Sequence, residues 1–310
     1  MATMLVVGLG VPSGLASQER DWDRLGDRIA RAVEHALEQA GRATEQALQA
    51  LENLELEMDW EAGAWSWDDE DAGPRVQEEF RWAGVVDAGD VLEIKGVNGP
   101  ISATPASGRE VEVVAVKSGR RSDPANVTID VVEHAGGVTL CAIYPTPEGD
   151  RANECGVGED GRNRVRRNDV RVSWEIRVPR GVAFRGRTVN GGIEAIGLGA
   201  EVDVETVNGD VIIETTGFAA ARTVNGSIEA RMDGDPLENV SFETVNGSIR
   251  LDVADGIDAD LDASWLNGSL ETEIPFQVRG RMGRRSAEGT LGEGGATLRL
   301  RTVNGSIRIH

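Results

Sequence analysis

Aromatic residues are scarce in this chain of 310 residues: five Phe, seven Trp and one Tyr make up 4% of it. That scarcity suits a thin core filled by Val, Ile, Leu and Ala rather than one built on large rings. Cysteine is limited to Cys141 and Cys155, and with His134 the only nearby histidine a zinc site lacks ligands. The three histidines, His35, His134 and His310, are scattered, and none stands with a Ser or Cys nucleophile and a third orienting group. Lysine is reduced to Lys95 and Lys117, so arginine is the default cation. No run of 18 apolar residues exists, which excludes a membrane-spanning helix. A net charge of −21 lacks the basic footprint of a general nucleic-acid binder. Phosphate-cradling glycine loops, the EF-hand loop and the calcium β-roll repeat are missing too, so neither a cofactor nor a resident metal is expected.

Charge is unevenly placed. Residues 17–79 hold 18 acids against 6 arginines, whereas residues 80–310 hold 35 acids against 26 bases, which marks a boundary near residue 80. Residues 1–16 resemble a secretory signal segment: MLVVGLGVPSGLA ends in small residues before the polar SQERD, although a basic leader is missing. Export permits a bridge between Cys141 and Cys155, and closing so short a loop contributes roughly 3 kcal/mol in the chain-entropy model. Two unrelated thiols are the alternative. Within 17–57, Trp22, Leu25, Ile29, Val33, Ala36, Ala40, Ala43, Ala47, Leu51 and Leu54 recur at steps of three and four and predict an amphipathic helix, interrupted at Gly41. Residues 58–79 read as an acidic linker whose Trp60, Trp65 and Trp67 suit docking on the next domain.

The most informative feature is a repeat. KGVNGPI, RTVNGGI, ETVNGDV, RTVNGSI, ETVNGSI, SWLNGSL and RTVNGSI place turn asparagines at Asn98, Asn190, Asn208, Asn225, Asn246, Asn267 and Asn304. Apolar residues alternate on both sides of each Asn-Gly, as in strands flanking a corner. Asn and Gly tolerate positive φ, so the pair is expected to turn the chain in that conformation. An antiparallel meander needs only turn-competent residues, whereas recurrence of Thr, Val, Asn, Gly and Ile at matched places fits coils that stack on copies of themselves. The prediction is an all-β, single-chain parallel β-helix (β-solenoid) over 80–310, preceded by the helix and linker. Its early coils (80–183) are irregular, and the regular coils (184–310) number near seven.

The TVNGSI units, the early IKGVNGPI, the VRVSWEIRVPRGV segment and the terminal LGEGGATLRLRTVNGSIRI together resemble the bacterial putative-adhesin family of β-strand repeat proteins, a group of unknown function. The resemblance covers residues 80–310 and implies a single-chain β-helix, export to the cell envelope and no established enzymatic activity.

Candidate chemistry is sparse. Nine arginines between 162 and 187 face only Asp169 and Glu175, and Arg162, Arg164, Arg166, Arg167 and Arg171 are the candidate anion-binding residues. Their target would be an anionic envelope glycan, with self-pairing to the acidic linker as the bland alternative. Arg279, Arg281, Arg284 and Arg285 form a second cluster. Stacking would align Asp203, Glu205, Glu243 and Glu271 along one flank, read as a solvated acidic face. The sequence stops three residues after the last repeat, so the final coil is expected to bare a strand edge through which copies associate, unless 279–293 folds over it. The leading function is therefore a non-enzymatic exported module, structural or adhesin-like, in the periplasm, at the outer surface or secreted. The alternatives are a β-helix that binds or cleaves an anionic polysaccharide, and an envelope scaffold or stress regulator recruiting a partner through the N-terminal helix.

Overall fold

A computed structural model describes residues 76–158, 160–275, 277–278 and 285–310. The signal-like segment, the helix expected over 17–57 and residues 58–75 of the linker lie outside the described residues. Two sheets face each other. One has ten strands in the order β1 (Val76–Val85), β4 (Glu110–Gly119), β9 (Arg171–Val178), β3 (Ile101–Pro105), β11 (Ile193–Leu198), β13 (Val211–Thr215), β15 (Ile228–Met232), β17 (Ile249–Val253), β23 (Ile307–Ile309), β19 (Leu270–Thr272). The other has eleven: β20 (Gln277–Val278), β21 (Ser286–Leu291), β18 (Ala259–Asn267), β22 (Thr297–Asn304), β16 (Val240–Asn246), β14 (Ala219–Arg222), β12 (Val202–Glu205), β10 (Ala183–Arg187), β2 (Val91–Lys95), β6 (Gly137–Ile143), β5 (Thr128–His134). A small antiparallel pair, β7 (Glu154–Cys155) and β8 (Gly161–Arg162), stands apart. Since β1 starts at Val76, the last four residues assigned to the linker are strand.

Each regular coil lays a strand in the eleven-stranded sheet, turns at Val-Asn-Gly, and lays the next in the ten-stranded sheet. Coils then stack in parallel, residue on equivalent residue: Val202 on Ala219 and Val204 on Ala221 in one sheet, Val211 on Ile228 and Ile213 on Ala230 in the other. Period-two patterning sends these side chains between the sheets and their neighbours, such as Ile212 and Glu214, outward. Large and small residues alternate along the stack. The Phe184 ring lies over Gly186, where an added Cβ would come within 3.2 Å of it, and Phe242 stacks below Ala221.

The solenoid-like stack is confirmed, but the sheets are mixed rather than purely parallel, and two coils are out of sequence order. The last coil (β22–β23) does not sit at the end of the stack. It inserts between β16–β17 and β18–β19, parallel to both. The first repeat coil (β2–β3) is likewise internal, lying between β10–β11 and the β6/β9 strands, which are joined by a long loop instead of the Val-Asn-Gly corner. Residues 183–310 thus make six stacked coils rather than near seven. The remaining strands close the ends in antiparallel fashion: β4 on β9, β1 on β4 and β5 on β6 at one end, β21 on β18 and β20 on β21 at the other.

This topology overturns the expected bare edge on the C-terminal coil, because both flanks of β22–β23 are already hydrogen-bonded. It also accounts for the separation of 37 residues between Asn267 and Asn304: β21 is a returning antiparallel strand, not a further Asn-Gly coil. Among the described residues the one edge strand held by parallel pairing is the 3-residue β19, and the other sheet edges end on antiparallel strands, so little parallel edge is left for another chain to extend.

Candidate functional site

The seven corner asparagines form one continuous amide ladder. Asn190 Nδ2 donates to Asn98 Oδ1 at 2.9 Å, Asn208 to Asn190 at 2.9 Å, Asn225 to Asn208 at 2.9 Å, Asn246 to Asn225 at 2.8 Å, Asn304 to Asn246 at 2.8 Å and Asn267 to Asn304 at 2.8 Å. The ladder follows the spatial order of coils, so Asn304 lies between Asn246 and Asn267. Beneath it, buried threonines donate to glycine carbonyls of the preceding coil: Thr188 to Gly99 at 3.1 Å, Thr206 to Gly191 at 2.9 Å, Thr223 to Gly209 at 3.0 Å, Thr244 to Gly226 at 2.8 Å and Thr302 to Gly247 at 2.8 Å. The expectation of positive φ at the corner is corrected here. Among the repeat residues only Gly99 adopts it, and none of the asparagines does. The glycines serve close stacking instead: a Cβ on Gly209, Gly226, Gly247, Gly305 or Gly268 would lie 1.8–2.2 Å from the glycine oxygen of the adjacent coil.

The outward face of the eleven-stranded sheet is a charge ladder. The residue before each Thr-Val-Asn-Gly lines up as Lys95, Arg187, Glu205, Arg222, Glu243, Arg301, Ser264. Glu205 accepts from Arg222 Nη1 at 2.9 Å and lies 3.7 Å from Arg187; Arg222 also donates to Ser241 Oγ at 2.8 Å. These acids are not the solvated face expected: Glu205 and Glu243 are buried and separated by Arg222, Asp203 belongs to the neighbouring column, and Glu271 pairs with Arg308 on the opposite sheet. Burial pushes the Glu205 carboxyl up, Asp203 adds to the rise, and the two guanidiniums oppose it. The alternation of Arg and Glu before TVNG is written in the sequence, and it is the signal that could have located both the ladder and the coil order.

At one end the ladder disappears under a loop. A disulfide joins Cys141 on β6 to Cys155 on β7, with Cα atoms 5.6 Å apart. The segment that follows Cys155 places three carbonyls around the buried Lys95 ammonium: Gly156 at 2.8 Å, Gly158 at 2.7 Å and Asp160 at 3.0 Å. Glu93 beside it accepts from Thr139 Oγ1 and from Gly158 N, each at 3.0 Å, and Arg187 donates to Gly158 O at 2.9 Å. Side-chain amides replace ladder bonds within the loop: Asn153 donates to Tyr144 O and Arg164 O, and Asn163 donates to Ala142 O. The Tyr144 hydroxyl donates to Val170 O at 2.9 Å, and burial pushes its phenol up against the opposing pull of the Asn98 amides.

The five candidate arginines are not brought together as one group. Arg162 and Arg164 lie beyond the disulfide, Arg162 on β8, and Arg164 reaches back to pair with Asp150 inside the disulfide-closed loop at 3.0 Å. Arg166, Arg167 and Arg171 are exposed and lie within three residues of Asp169 in the chain, with Arg167 at φ 48°, the one described non-glycine residue with positive φ. Sequence reading missed Arg120 and Arg121, which also meet Asp169. The Asp169 carboxylate accepts the backbone N–H groups of Arg120 at 3.1 Å, Arg121 at 3.1 Å and Ser122 at 2.8 Å. No local pattern in the sequence announces a junction made across 47–49 residues. The second cluster lies largely outside the described residues.

Burial pushes Asp169 up, but those backbone donors outweigh it and hold the carboxyl below its ordinary value. A depressed acid stabilises the fold above its unfolded value and loses that contribution as pH falls through the folded one. Asp169→Asn is therefore expected to cost about 1–2 kcal/mol at neutral pH, discounted for its solvent-facing side. The gap from the parent should close under acid, as urea melts at pH 7 and pH 3 would register.

No helix among the described residues is long and apolar enough to cross a membrane. No group of three or more His, Cys, Asp or Glu side chains among them is disposed to hold a metal ion. No curated protein matches the chain. Among solved structures it is similar to a protein described as a "putative cell adhesion protein" from Clostridium sporogenes ATCC 15579, at 12% identity over 76% of this chain and 99% of that one, with a TM-score of 0.41. It is also similar to a "putative adhesin" from Bacteroides fragilis NCTC 9343, at 12% identity over 75% and 97% of the two chains, with a TM-score of 0.25. Residues 192–310, which carry five of the seven Asn-Gly rungs, match the family model described as Toastrack DUF4097.

Proposed function

We propose that this protein is a non-enzymatic module exported to the cell envelope, where its arginine-rich junction holds an anionic glycan. The observation that carries the export reading is the Cys141–Cys155 bond, which ties to β6 the start of the segment that covers Lys95 and Glu93. Such a bond persists in an oxidising compartment and is rare in the cytosol. The repeating faces favour a scaffold over a catalyst, since their amides, hydroxyls and charges are spent on one another in identical units. Where the repetition breaks, the exposed Arg166, Arg167 and Arg171 flank Asp169, which takes the backbone N–H groups of Arg120 and Arg121, and guanidinium forks suit carboxylates and sulfates.

Two measurements test this. Maleimide–polyethylene glycol added to denatured lysates, without reductant, should leave both cysteines unlabelled and the protein in the envelope or secreted fraction. Labelled thiols in a cytosolic pool would end the export reading. The purified chain should sediment with insoluble polygalacturonate but not with neutral cellulose, and ~0.5 M salt should release it by screening. Equal retention on both matrices, or none on either, would end the anion reading.

A further inference from the structure

The two ends of the asparagine ladder are not equivalent. At every rung but the last, two hydrogen bonds hold the Asn-Gly pair. The side-chain Oδ1 accepts from the amide of the next asparagine, from Asn190 on Asn98 through to Asn267 on Asn304. The glycine N–H donates to the backbone carbonyl of that same next asparagine. Gly99 meets Asn190 at 2.7 Å and Gly191 meets Asn208 at 2.9 Å, while Gly209 to Asn225, Gly226 to Asn246, Gly247 to Asn304 and Gly305 to Asn267 are each 3.0 Å. Asn267-Gly268, on the outermost coil, has no further coil to bond. Among the described residues nothing donates to Asn267 Oδ1 and no carbonyl meets the Gly268 N–H, and both residues are exposed.

Those two groups are the reactants of asparagine deamidation. The Gly268 nitrogen attacks Asn267 Cγ, the N–Cγ bond forms, the Cγ–Nδ2 bond breaks, and ammonia leaves with the proton that the nitrogen gives up. Water then opens the cyclic imide. Opening at Cγ leaves aspartate, and opening at the backbone carbonyl carbon leaves isoaspartate. The sum is amide plus water to acid plus ammonia, with no change of oxidation state. Glycine leaves the attacking nitrogen unshielded because it has no Cβ. At the inner rungs the glycine proton is held by a carbonyl and the asparagine amide is bonded at both Oδ1 and its neighbour, so reaction there must wait for local opening.

We propose that Asn267 is a site of spontaneous covalent modification, deamidating in the folded protein while the six inner Asn-Gly pairs keep their amides. Exposure does not make this selection, because Asn208 and Asn246 are exposed as well. The hydrogen bonds make it. Conversion also removes the donor that Asn267 Nδ2 offers to Asn304 Oδ1 at 2.8 Å and sets a carboxylate against that oxygen. The outermost coil is thereby loosened at the corner where Gly305 N–H meets Asn267 O at 3.0 Å and Ile307 N–H meets Ser269 O at 2.8 Å.

The test incubates the purified full-length chain in mildly alkaline buffer, which favours the deprotonated nitrogen. Peptides are then read by mass spectrometry and by isoaspartyl methyl transfer. In the folded chain Asn267 should lose its amide at least about tenfold faster than Asn208 or Asn246, whereas in urea the three should react alike. Equal rates in the folded chain, or an intact Asn267 when the urea sample has reacted, would overturn the proposal. An Asn267→Asp chain reads the consequence: hydrogen exchange at the Gly305 and Ile307 N–H groups should quicken about tenfold, with that at Gly226 unchanged. Exchange identical to the parent at all three would overturn the loosening.

Discussion

Gly226→Ala is expected to destabilise the chain by about 4 kcal/mol or more, or to prevent folding, although the substitution adds one methyl group at a half-exposed corner. The added Cβ would lie 2.0 Å from Gly209 O, a backbone atom with no rotamer through which to yield. The coil must therefore move. Gly209 O accepts the Thr223 hydroxyl, and Gly226 O accepts that of Thr244, so displacement strains both buried threonine bonds. The amide ladder through Asn208, Asn225 and Asn246 is strained with them. Each buried acceptor left unmet costs about 1–3 kcal/mol, and the clash adds to that. Gly108→Ala is the control: nothing lies within 4 Å of its Cβ, and a change below about 0.5 kcal/mol is expected. Urea denaturation of both variants measures the contrast. If Gly226→Ala melts with the parent, the close glycine stack is not what fixes the corner.

Parallel stacking was legible because identical residues at matched places have few other uses: Asn of one coil bonds Asn of the next, and Thr bonds the glycine carbonyl of its neighbour. Coil order was not legible from that pattern, since every corner offers the same donors and acceptors. The deciding residues are the variable ones. Glu243 meets Arg301 rather than Ser264, which continues the Arg–Glu alternation from Arg187. Trp265 occupies the threonine position of the outermost coil and has no hydroxyl to give an adjacent glycine carbonyl. Gly96 takes that position in the innermost early coil, where an added Cβ would come within 3.1 Å of the Trp174 indole nitrogen. Turn chemistry misled for a related reason. Asn-Gly is the strongest local sign of a left-handed turn, but here glycine is needed because a neighbouring coil passes too close for any side chain. The long-range junctions, Lys95 with 156–160 and Asp169 with 120–122, leave no periodic trace at all.

Lys95→Met is expected to cost about 3–5 kcal/mol, far more than the loss of one surface lysine. Methionine matches the length of the side chain but donates nothing. The carbonyls of Gly156, Gly158 and Asp160 would then face an apolar tip, and Glu93 would lose the ammonium 3.8 Å from its carboxylate. Burying three acceptors and a carboxylate without their cation is worse than never assembling them, so the loop is expected to lift and hydrate. Two measurements separate local lifting from global unfolding: the urea midpoint, and the rate at which dithiothreitol reduces Cys141–Cys155. Reduction should accelerate at urea concentrations where β-circular dichroism is still native, because the thiolate gains access to Cys155 before the coils open. A variant reduced no faster than the parent would mean that Asn153 and Asn163 clamp the loop by themselves. The lysine would then fill space without holding the loop. The expected result instead makes Lys95 the centre of the irregular end, a tethered cation around which the loop folds where the repeating ladder stops.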